Sequence, residues 1–140
     1  MTIIRRFTYT EEIISIQAVD ETNGYVWIGY DQNADSKCVL NKVTASDPSQ
    51  IVATVDIEVT QITSMYIATS DIYLGFNDST LIGGSYNLQN PLTTPVSFTK
   101  PVGITEEAVD VLLDGSDVYF LIPGYLSGQN AKILKYSTAG

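Results

Sequence analysis

The chain has 140 residues, 44% of them apolar, which is the length and composition of one folded domain. Seven lysines and arginines against sixteen aspartates and glutamates give a net charge of −9, which argues against binding a nucleic-acid backbone or an anionic membrane. The sequence has no histidine and one cysteine, so it excludes Ser-His-Asp and Cys-His catalysis, an internal disulfide and a cysteine-based zinc site.

The N-terminal segment MTIIRRFTYTEE lacks the apolar region of a signal peptide. No apolar stretch approaches the roughly 20 residues of a membrane-spanning helix. Cys38 lies in an apolar run, where we expect it to pack as a small hydrophobic residue. A free thiol suits the cytoplasm or a particle assembled there. We therefore expect a cytoplasmic or virion-associated protein.

Three copies of one pattern follow along the chain. GYVWIGYD at 24–31 is matched by SDIYLGFND at 70–78 and SDVYFLIPG at 116–124. Val26, Ile72 and Val118 occupy one aligned position, and each lies 46 residues from the next. This spacing predicts three units over residues 13–59, 60–105 and 106–140, which together form a single domain spanning 1–140.

Each unit contains further strand-like runs separated by Gly- and Asp-containing turns, which are typical of β-hairpins. The first unit alternates apolar and polar residues over 51–59, the period-2 pattern of a strand with one wetter face. The third unit has no fourth run, but residues 2–12 resemble one, so we expect them to complete that unit. The predicted runs are 13–19, 38–43 and 51–59 in the first unit, 62–68, 85–88 and 96–104 in the second, and 108–113 and 132–136 in the third.

The order of strand, Asp/Gly turn, Tyr-Val-Trp-Ile-Gly-Tyr and polar loop in residues 13–59 resembles one blade of a β-propeller. This resemblance implies an all-β fold of three four-stranded antiparallel repeats. Because propeller rings need about four to eight blades, it implies half of a six-bladed ring per chain, closed by a homodimer that shares a blade through the N-terminal strand. The alternative is a monomeric β-trefoil or β-prism, which also uses three four-stranded units.

The loop Asp31–Asp35 places oxygen-bearing side chains at positions 1, 3 and 5, like the start of a calcium loop. Ser36 stands where glycine is needed and Lys42 where glutamate is needed, so a polar hairpin loop is the favoured interpretation. We expect no resident metal and no cofactor.

Trp27 could stack against a sugar, but Tyr73 and Tyr119 at the aligned positions favour core packing. Other tyrosines are better candidates for exposed rings: Tyr30, Tyr66, Tyr86 and Tyr125. Adjacent acidic pairs lie in predicted turns, where we expect solvated side chains rather than a catalytic pair. These pairs are Glu11–Glu12, Asp20–Glu21 and Glu106–Glu107. Asp110 is predicted to lie within a strand and to face a wet channel.

No residue pattern identifies a catalytic or ligand-binding residue. We therefore expect a non-enzymatic binding or structural module with a protein or glycan ligand. The small size and Thr/Asn-rich composition resemble those of accessory or particle proteins of bacterial viruses. A carbohydrate-binding lectin is the alternative, and a hydrolase is third.

Overall fold

The structure is a computed structural model that describes residues 16–32, 37–124 and 130–140. These residues form 11 strands in three antiparallel sheets and no helix, which confirms the predicted all-β antiparallel fold. The predicted strand at 2–12 lies outside the described residues. The described residues form no closed barrel, so the closed monomeric β-trefoil does not describe them.

Sheets A and B each contain four strands in chain order, and sheet C contains three. Sheet A consists of β1 (Ile16–Asp20), β2 (Tyr25–Gln32), β3 (Lys37–Thr44) and β4 (Asp47–Ile57). Sheet B consists of β5 (Gln61–Ile67), β6 (Asp71–Asn77), β7 (Leu81–Asn87) and β8 (Val96–Thr99). Sheet C consists of β9 (Asp110–Asp114), β10 (Asp117–Ile122) and β11 (Lys132–Ser137).

The first hairpin of sheet A shows why polar turn residues matter. Asp20 accepts hydrogen bonds from the backbone N–H and the side-chain amide of Asn23, at 3.1 and 2.9 Å from its carboxylate oxygens. Gly24 follows with a φ of 72°, a left-handed conformation that favours glycine. The turn therefore fixes the register in which Asp20 pairs with Tyr25.

One backbone hydrogen bond recurs in the three sheets. The residue after the third strand donates its N–H to the carbonyl of the residue before the second strand. The three bonds join Ala45 to Gly24 at 2.9 Å, Leu88 to Ser70 at 2.9 Å and Thr138 to Ser116 at 2.8 Å. Ala45, Leu88 and Thr138 thus hold matching places in sheets A, B and C.

The sheets pack face to face in series. One core lies between sheets A and B, where Trp27 and Leu40 meet Ile72 and Leu74. A second core lies between sheets B and C, where Tyr73 and Phe98 of sheet B meet side chains of sheet C. Its sheet C members are Val111, Val118, Phe120 and Ile122. The strand backbones of neighbouring sheets approach each other at the first strands, β1 with β5 and β5 with β9.

Several predicted strand boundaries are wrong. β7 begins at Leu81, so it contains Gly83 and Gly84 instead of starting after them at residue 85. β8 ends at Thr99, whereas the pattern predicted a strand over 96–104. Pro101 lacks a backbone N–H donor and Gly103 has a φ of 89°, and neither continues a regular strand.

Gly83 permits the close approach of sheets B and C. A Cβ atom at this position would overlap the carbonyl oxygen of Leu74 and the ring of Phe120. Because Phe120 is fully buried in the core between the sheets, its ring has no room to retreat.

We therefore predict that Gly83→Ala lowers the free energy of unfolding by about 2–3 kcal/mol, through overpacking of a filled core. Ser97→Ala, at an exposed position of the adjacent strand β8, should change it by less than about 0.5 kcal/mol. Urea unfolding of both variants measures the two changes. Equal effects would contradict the role assigned to Gly83.

Candidate functional site

The outward face of sheet C exposes several large apolar side chains. Leu112, Leu121 and Ile133 on it are 54%, 38% and 68% exposed, and Tyr119 lies half-buried among them. Charged side chains surround this apolar centre. We call these eight residues the outer face of sheet C: Asp110, Leu112, Asp114, Asp117, Tyr119, Leu121, Ile133 and Lys135.

Strand register relates this face to the interfaces inside the chain. Tyr119 pairs with Leu112 and Lys135, as Trp27 pairs with Ala18 and Lys42 in sheet A. Likewise, Leu121 pairs with Ile133 as Gly29 pairs with Leu40. Trp27 and Leu40 are fully buried against sheet B. Tyr119 and Ile133 therefore occupy contact positions on which no further sheet of the described residues packs.

Lys42 joins sheets A and B. Its ammonium lies 4.0 Å from the ring centroid of Tyr25 and 5.5 Å from that of Trp27. It donates a hydrogen bond of 2.5 Å to the carbonyl of Leu88 in sheet B. The residue is buried, so cation–π contact and one carbonyl replace much of its hydration.

Burial lowers the pKa of the Lys42 ammonium below its usual value, while the charge of Asp20 acts in the opposite direction. Desolvation disfavours the charged form because the surrounding rings solvate an ammonium less well than water does. Lys42 is thus a buried cation held by neutral partners and one acidic residue.

Two open clefts lie at the junctions between sheets. The first has a volume of ≈ 480 Å³ and is lined by the β1–β2 turn, with Asp20 and Asn23, and by the end of β5, with Tyr66. The second has a volume of ≈ 390 Å³ and lies between sheets B and C, where Asp71, Tyr73, Ser85 and Thr138 line it.

The predicted role of Trp27 as a core aromatic is confirmed, since its side chain is fully buried. The prediction that Tyr30 and Tyr86 carry exposed rings is wrong. Tyr30 is buried and accepts a hydrogen bond from Asn41, and burial raises the pKa of Tyr86 to about 12. Tyr66 is 36% exposed, as predicted, and Tyr125 lies outside the described residues.

The acidic pairs hold different environments from those predicted. Asp20 is buried and caps its turn, whereas Glu21 is exposed. Glu106 is half-buried and forms an ion pair of 3.1 Å with Lys132. Hydrogen bonds from its own backbone N–H, from Lys132 and from Thr105 lower the pKa of Glu106 to about 2. Neither pair is simply solvated, because turn formation and ion pairing use the carboxylates, and Glu11–Glu12 lies outside the described residues.

The remaining predicted residues do not assemble a site. Asp110 is exposed and accepts a hydrogen bond of 2.9 Å from the N–H of Val111. Cys38 is buried, and its thiol donates to the carbonyl of Val59 at 3.4 Å, as its packing role predicted. Most of the loop Asp31–Asp35 lies outside the described residues. Across ranges 16–32, 37–124 and 130–140, no three acidic or thiol side chains form a metal-binding group.

Sequence reasoning missed Lys42 as a bridging residue and Ser85 as a cleft residue. The signal was present in the third strands, since Lys42 and Lys135 both lie opposite the aromatic of the second strand, while Ser85 lies opposite Tyr73. Aligning strands by their pairing partners, and not by their first apolar residue, would have exposed it.

Comparison with known proteins finds no matching family model, no matching curated protein and no matching solved structure. In the part of the chain that the structure describes, no helix has the length and apolarity needed to cross a membrane. The geometry of the sheets therefore carries the functional argument.

Lys42 generates a prediction about pH. The pKa of Lys42 is lowered in the fold, and its ordinary value is 10.5. Between the lowered pKa of the folded state and 10.5, the unfolded chain binds more protons than the folded chain. The contribution of Lys42 to stability therefore rises with pH over this range. We expect the free energy of unfolding of the wild type, relative to Lys42→Met, to increase toward pH 10.5 by at most about 1.4 kcal/mol per pH unit.

Urea titrations between pH 7 and 10.5 measure this difference. Lys135→Met is the matched control, because the pKa of Lys135 is raised by its hydrogen bond to Asp117 and its contribution is lost, not gained, as pH rises. Parallel pH curves for the wild type and Lys42→Met would contradict the burial of a charged Lys42.

Proposed function

We propose that this chain is a non-enzymatic structural and binding module that closes a six-bladed β-propeller ring with a second copy of itself. The observation that carries the proposal is the outer face of sheet C. Its residues stand at the register positions that sheets A and B use to contact the next sheet in the series.

At each junction, the later sheet also contributes an apolar face that packs on the earlier sheet, and sheet A has an equivalent of that face. Sheet B receives sheet A through Ile72, Leu74 and Phe76, and sheet C receives sheet B through Val118, Phe120 and Ile122. At the matching positions of sheet A, the side chains of Val26, Ile28 and Tyr30 form an apolar cluster with Val39 and Val43. This cluster gives a second copy of sheet C a surface of the same chemistry.

Ile28 and Tyr30 are already buried in the single chain. Association therefore adds little buried area at these two residues of sheet A, whereas on sheet C it covers exposed apolar surface. The net gain in buried apolar area comes from Leu112, Leu121 and Ile133, and this burial drives the association.

Ring closure follows from the number of sheets. Three sheets fall short of the roughly four blades that the smallest propeller rings need. Two chains supply six and give a twofold ring with two equivalent junctions. Sheet C has three strands where sheets A and B have four, and in the proposed ring residues 2–12 add the fourth strand beside β11.

A lectin has less support from the geometry. Two of the four tyrosines that favoured it, Tyr30 and Tyr86, are buried and unavailable for stacking on a sugar. The face-to-face packing of successive sheets also favours a propeller over a β-prism, because sheet B uses one face for sheet A and the other for sheet C.

The first test is the mass in solution. We expect the wild type to have twice the 15.3 kDa mass of one chain in analytical ultracentrifugation. Ile133→Asp should weaken the dimer by about 2 kcal/mol or more, because it places a charge at the centre of a buried contact. Val102→Asp changes an aliphatic residue outside this face that is also fully exposed, so this control should remain dimeric.

Circular dichroism establishes that both variants are folded. A folded wild type that sediments as a single chain at 100 µM, on the order of the weak limit for specific dimers, would overturn the proposal. Equal dissociation of the two variants would remove the outer face of sheet C from the interface.

The second test locates the contact. Lys42 in sheet A bonds the carbonyl of Leu88 in sheet B. Lys135 holds the place of Lys42, and Ala45 holds that of Leu88. The ring therefore brings Lys135 of one copy against Ala45 of the other, and both residues are exposed in the single chain.

We expect an equimolar mixture of Lys135→Cys and Ala45→Cys chains to give a covalent dimer with a bis-maleimide whose span matches a lysine side chain, because two cysteines at these places would lie too far apart for a direct disulfide. Each variant alone should stay uncrosslinked, since the native Cys38 is buried. Crosslinking of Lys135→Cys with itself would instead indicate that two outer faces of sheet C meet each other. No crosslink in a dimeric mixture would place the interface elsewhere.

A further inference from the structure

The second strand of each sheet places an aromatic ring at the same register position. These rings belong to Trp27, Tyr73 and Tyr119. In sheets A and C a lysine lies directly opposite the ring. The ammonium of Lys42 is 5.5 Å from the Trp27 centroid, and that of Lys135 is 5.8 Å from the Tyr119 centroid.

Sheet B departs from this pattern, because Ser85 lies opposite Tyr73. The side chain of serine is too short to reach the neighbouring sheet. At this junction the structure has the cleft of ≈ 390 Å³, lined by Tyr73, Ser85 and Thr138 among others. Ser85, at the register position of Lys42, is therefore a lining residue of this cleft.

The acceptor of the Lys42 bridge also has a counterpart. Lys42 donates to the carbonyl of Leu88, and Thr138 holds the matching place in sheet C. Thr138 lines the cleft together with Asp71. Asp71 stands at the position of Tyr25, since each begins the second strand of its sheet. The cleft is therefore lined by the aromatic Tyr73, by Thr138 at the place of Leu88, and by Asp71, whose carboxylate accepts a hydrogen bond from the hydroxyl of Ser70.

We propose that the cleft between sheets B and C binds a primary ammonium group on a short unbranched alkyl chain. The ammonium lies over the ring of Tyr73 and donates hydrogen bonds to the carboxylate of Asp71 and the carbonyl of Thr138. Its alkyl chain replaces the methylene groups that Lys42 supplies at the other junction. Cation–π attraction and a charge-assisted hydrogen bond together recognise the charged head.

Two further observations agree with a cation in this place. Burial and the charge of Asp71 raise the pKa of Tyr73, so the Asp71 carboxylate lies close enough to act on the Tyr73 side chain electrostatically. The chain also carries a net charge of −9, which attracts cations over a distance of about one Debye length.

This site lies within one chain and does not depend on ring closure. A ligand of a few heavy atoms makes few contacts and binds weakly even where each contact is favourable. We therefore expect a dissociation constant on the order of 1 mM for n-butylammonium.

The experiment is a titration of the ¹⁵N-labelled full chain with n-butylammonium chloride at constant ionic strength. Saturable shifts are expected at the amides of Tyr73, Ser85 and Thr138. Butan-1-ol has the same alkyl chain without the charge and should give no saturable shift. Shifts that grow linearly to 50 mM, on the order of fifty times the expected constant, would overturn the proposal.

Variants separate a specific site from general attraction to an acidic chain. Asp71→Asn should weaken binding by about tenfold, through loss of the charge-assisted bond. Asp56→Asn removes the same charge at an exposed position of β4 and should weaken it by less than about twofold. Equal weakening by both variants would assign the shifts to net charge alone and overturn the site.

Ser85→Lys supplies the ammonium from the chain itself. This variant should abolish binding, raise the midpoint of thermal unfolding and shift the amide resonance of Thr138. Ser85→Met fills the cleft without charge, so it should block binding but should not reproduce that shift of the Thr138 amide. If Ser85→Lys fails to fold, the Asp71→Asn and Asp56→Asn pair still decides the question. A folded Ser85→Lys variant that binds n-butylammonium unchanged would overturn the proposal.

The source of the ammonium is distinguished by two further probes. Cadaverine represents free alkyl amines, and a blocked Gly-Lys-Gly peptide represents a lysine side chain. Saturable binding of cadaverine alone identifies a small-amine site, and binding of both identifies a site that also accepts lysine on a peptide. Failure of both, with n-butylammonium also inactive, leaves the ring proposal intact and removes this one.

Discussion

Sheet B is apolar on both faces, and the rest of the structure depends on covering both of them. Because side chains alternate along a strand, β6 directs Ile72, Leu74 and Phe76 to sheet A and Tyr73 to sheet C. Each square ångström of apolar surface removed from water contributes about 25 cal/mol, and two sheet faces can be covered only by two neighbours. The stability of sheet B therefore depends on both sheet A and sheet C. A face-to-face series of three sheets is the smallest arrangement that covers both faces of sheet B.

Sheets A and C lie at the two ends of this series, and the proposed ring depends on the outer faces of these two sheets. Sheet C repeats the contact positions of sheets A and B but presents them to solvent, with Ile133 68% exposed. Asp117 and Lys135 form an ion pair of 2.7 Å at the border of this face. An exposed pair of this kind contributes little to stability. The matching lysine of sheet A, Lys42, is buried and donates a hydrogen bond to the carbonyl of Leu88, the residue that follows β7 of sheet B. A lysine can be solvated, as Lys135 is, or can bridge two sheets, as Lys42 does, because its long flexible side chain can place its charge in either environment.

The hairpins could be predicted from the sequence because their determinants are local. Asp20 and Gly24 form a turn whatever surrounds it, and the period-2 pattern over 51–59 follows from one strand alone. The pattern did not show which apolar face a neighbouring sheet covers, and Tyr30 and Tyr86 were assigned to the surface for that reason. Gly83 illustrates the same limit, since its role depends on Phe120, which lies in another sheet. The cleft at Ser85 is still further from local reasoning, because residues of sheets B and C line it together.

The register position opposite the aromatic residue thus has a different environment in each of the three sheets. It is filled by Lys42 at the first junction, open beside Ser85 at the second, and exposed at Lys135 on the last sheet. A buried ammonium costs desolvation energy that its partners must offset, and at the first junction the Leu88 carbonyl and two aromatic rings do so. At the second junction the chain avoids that desolvation cost, keeps an aromatic residue in Tyr73, and has Asp71 where the first junction has Tyr25. Asp71 also accepts a hydrogen bond from the hydroxyl of Ser70, so folding has already oriented one acceptor of the proposed site and a ligand has mainly its own freedom to lose.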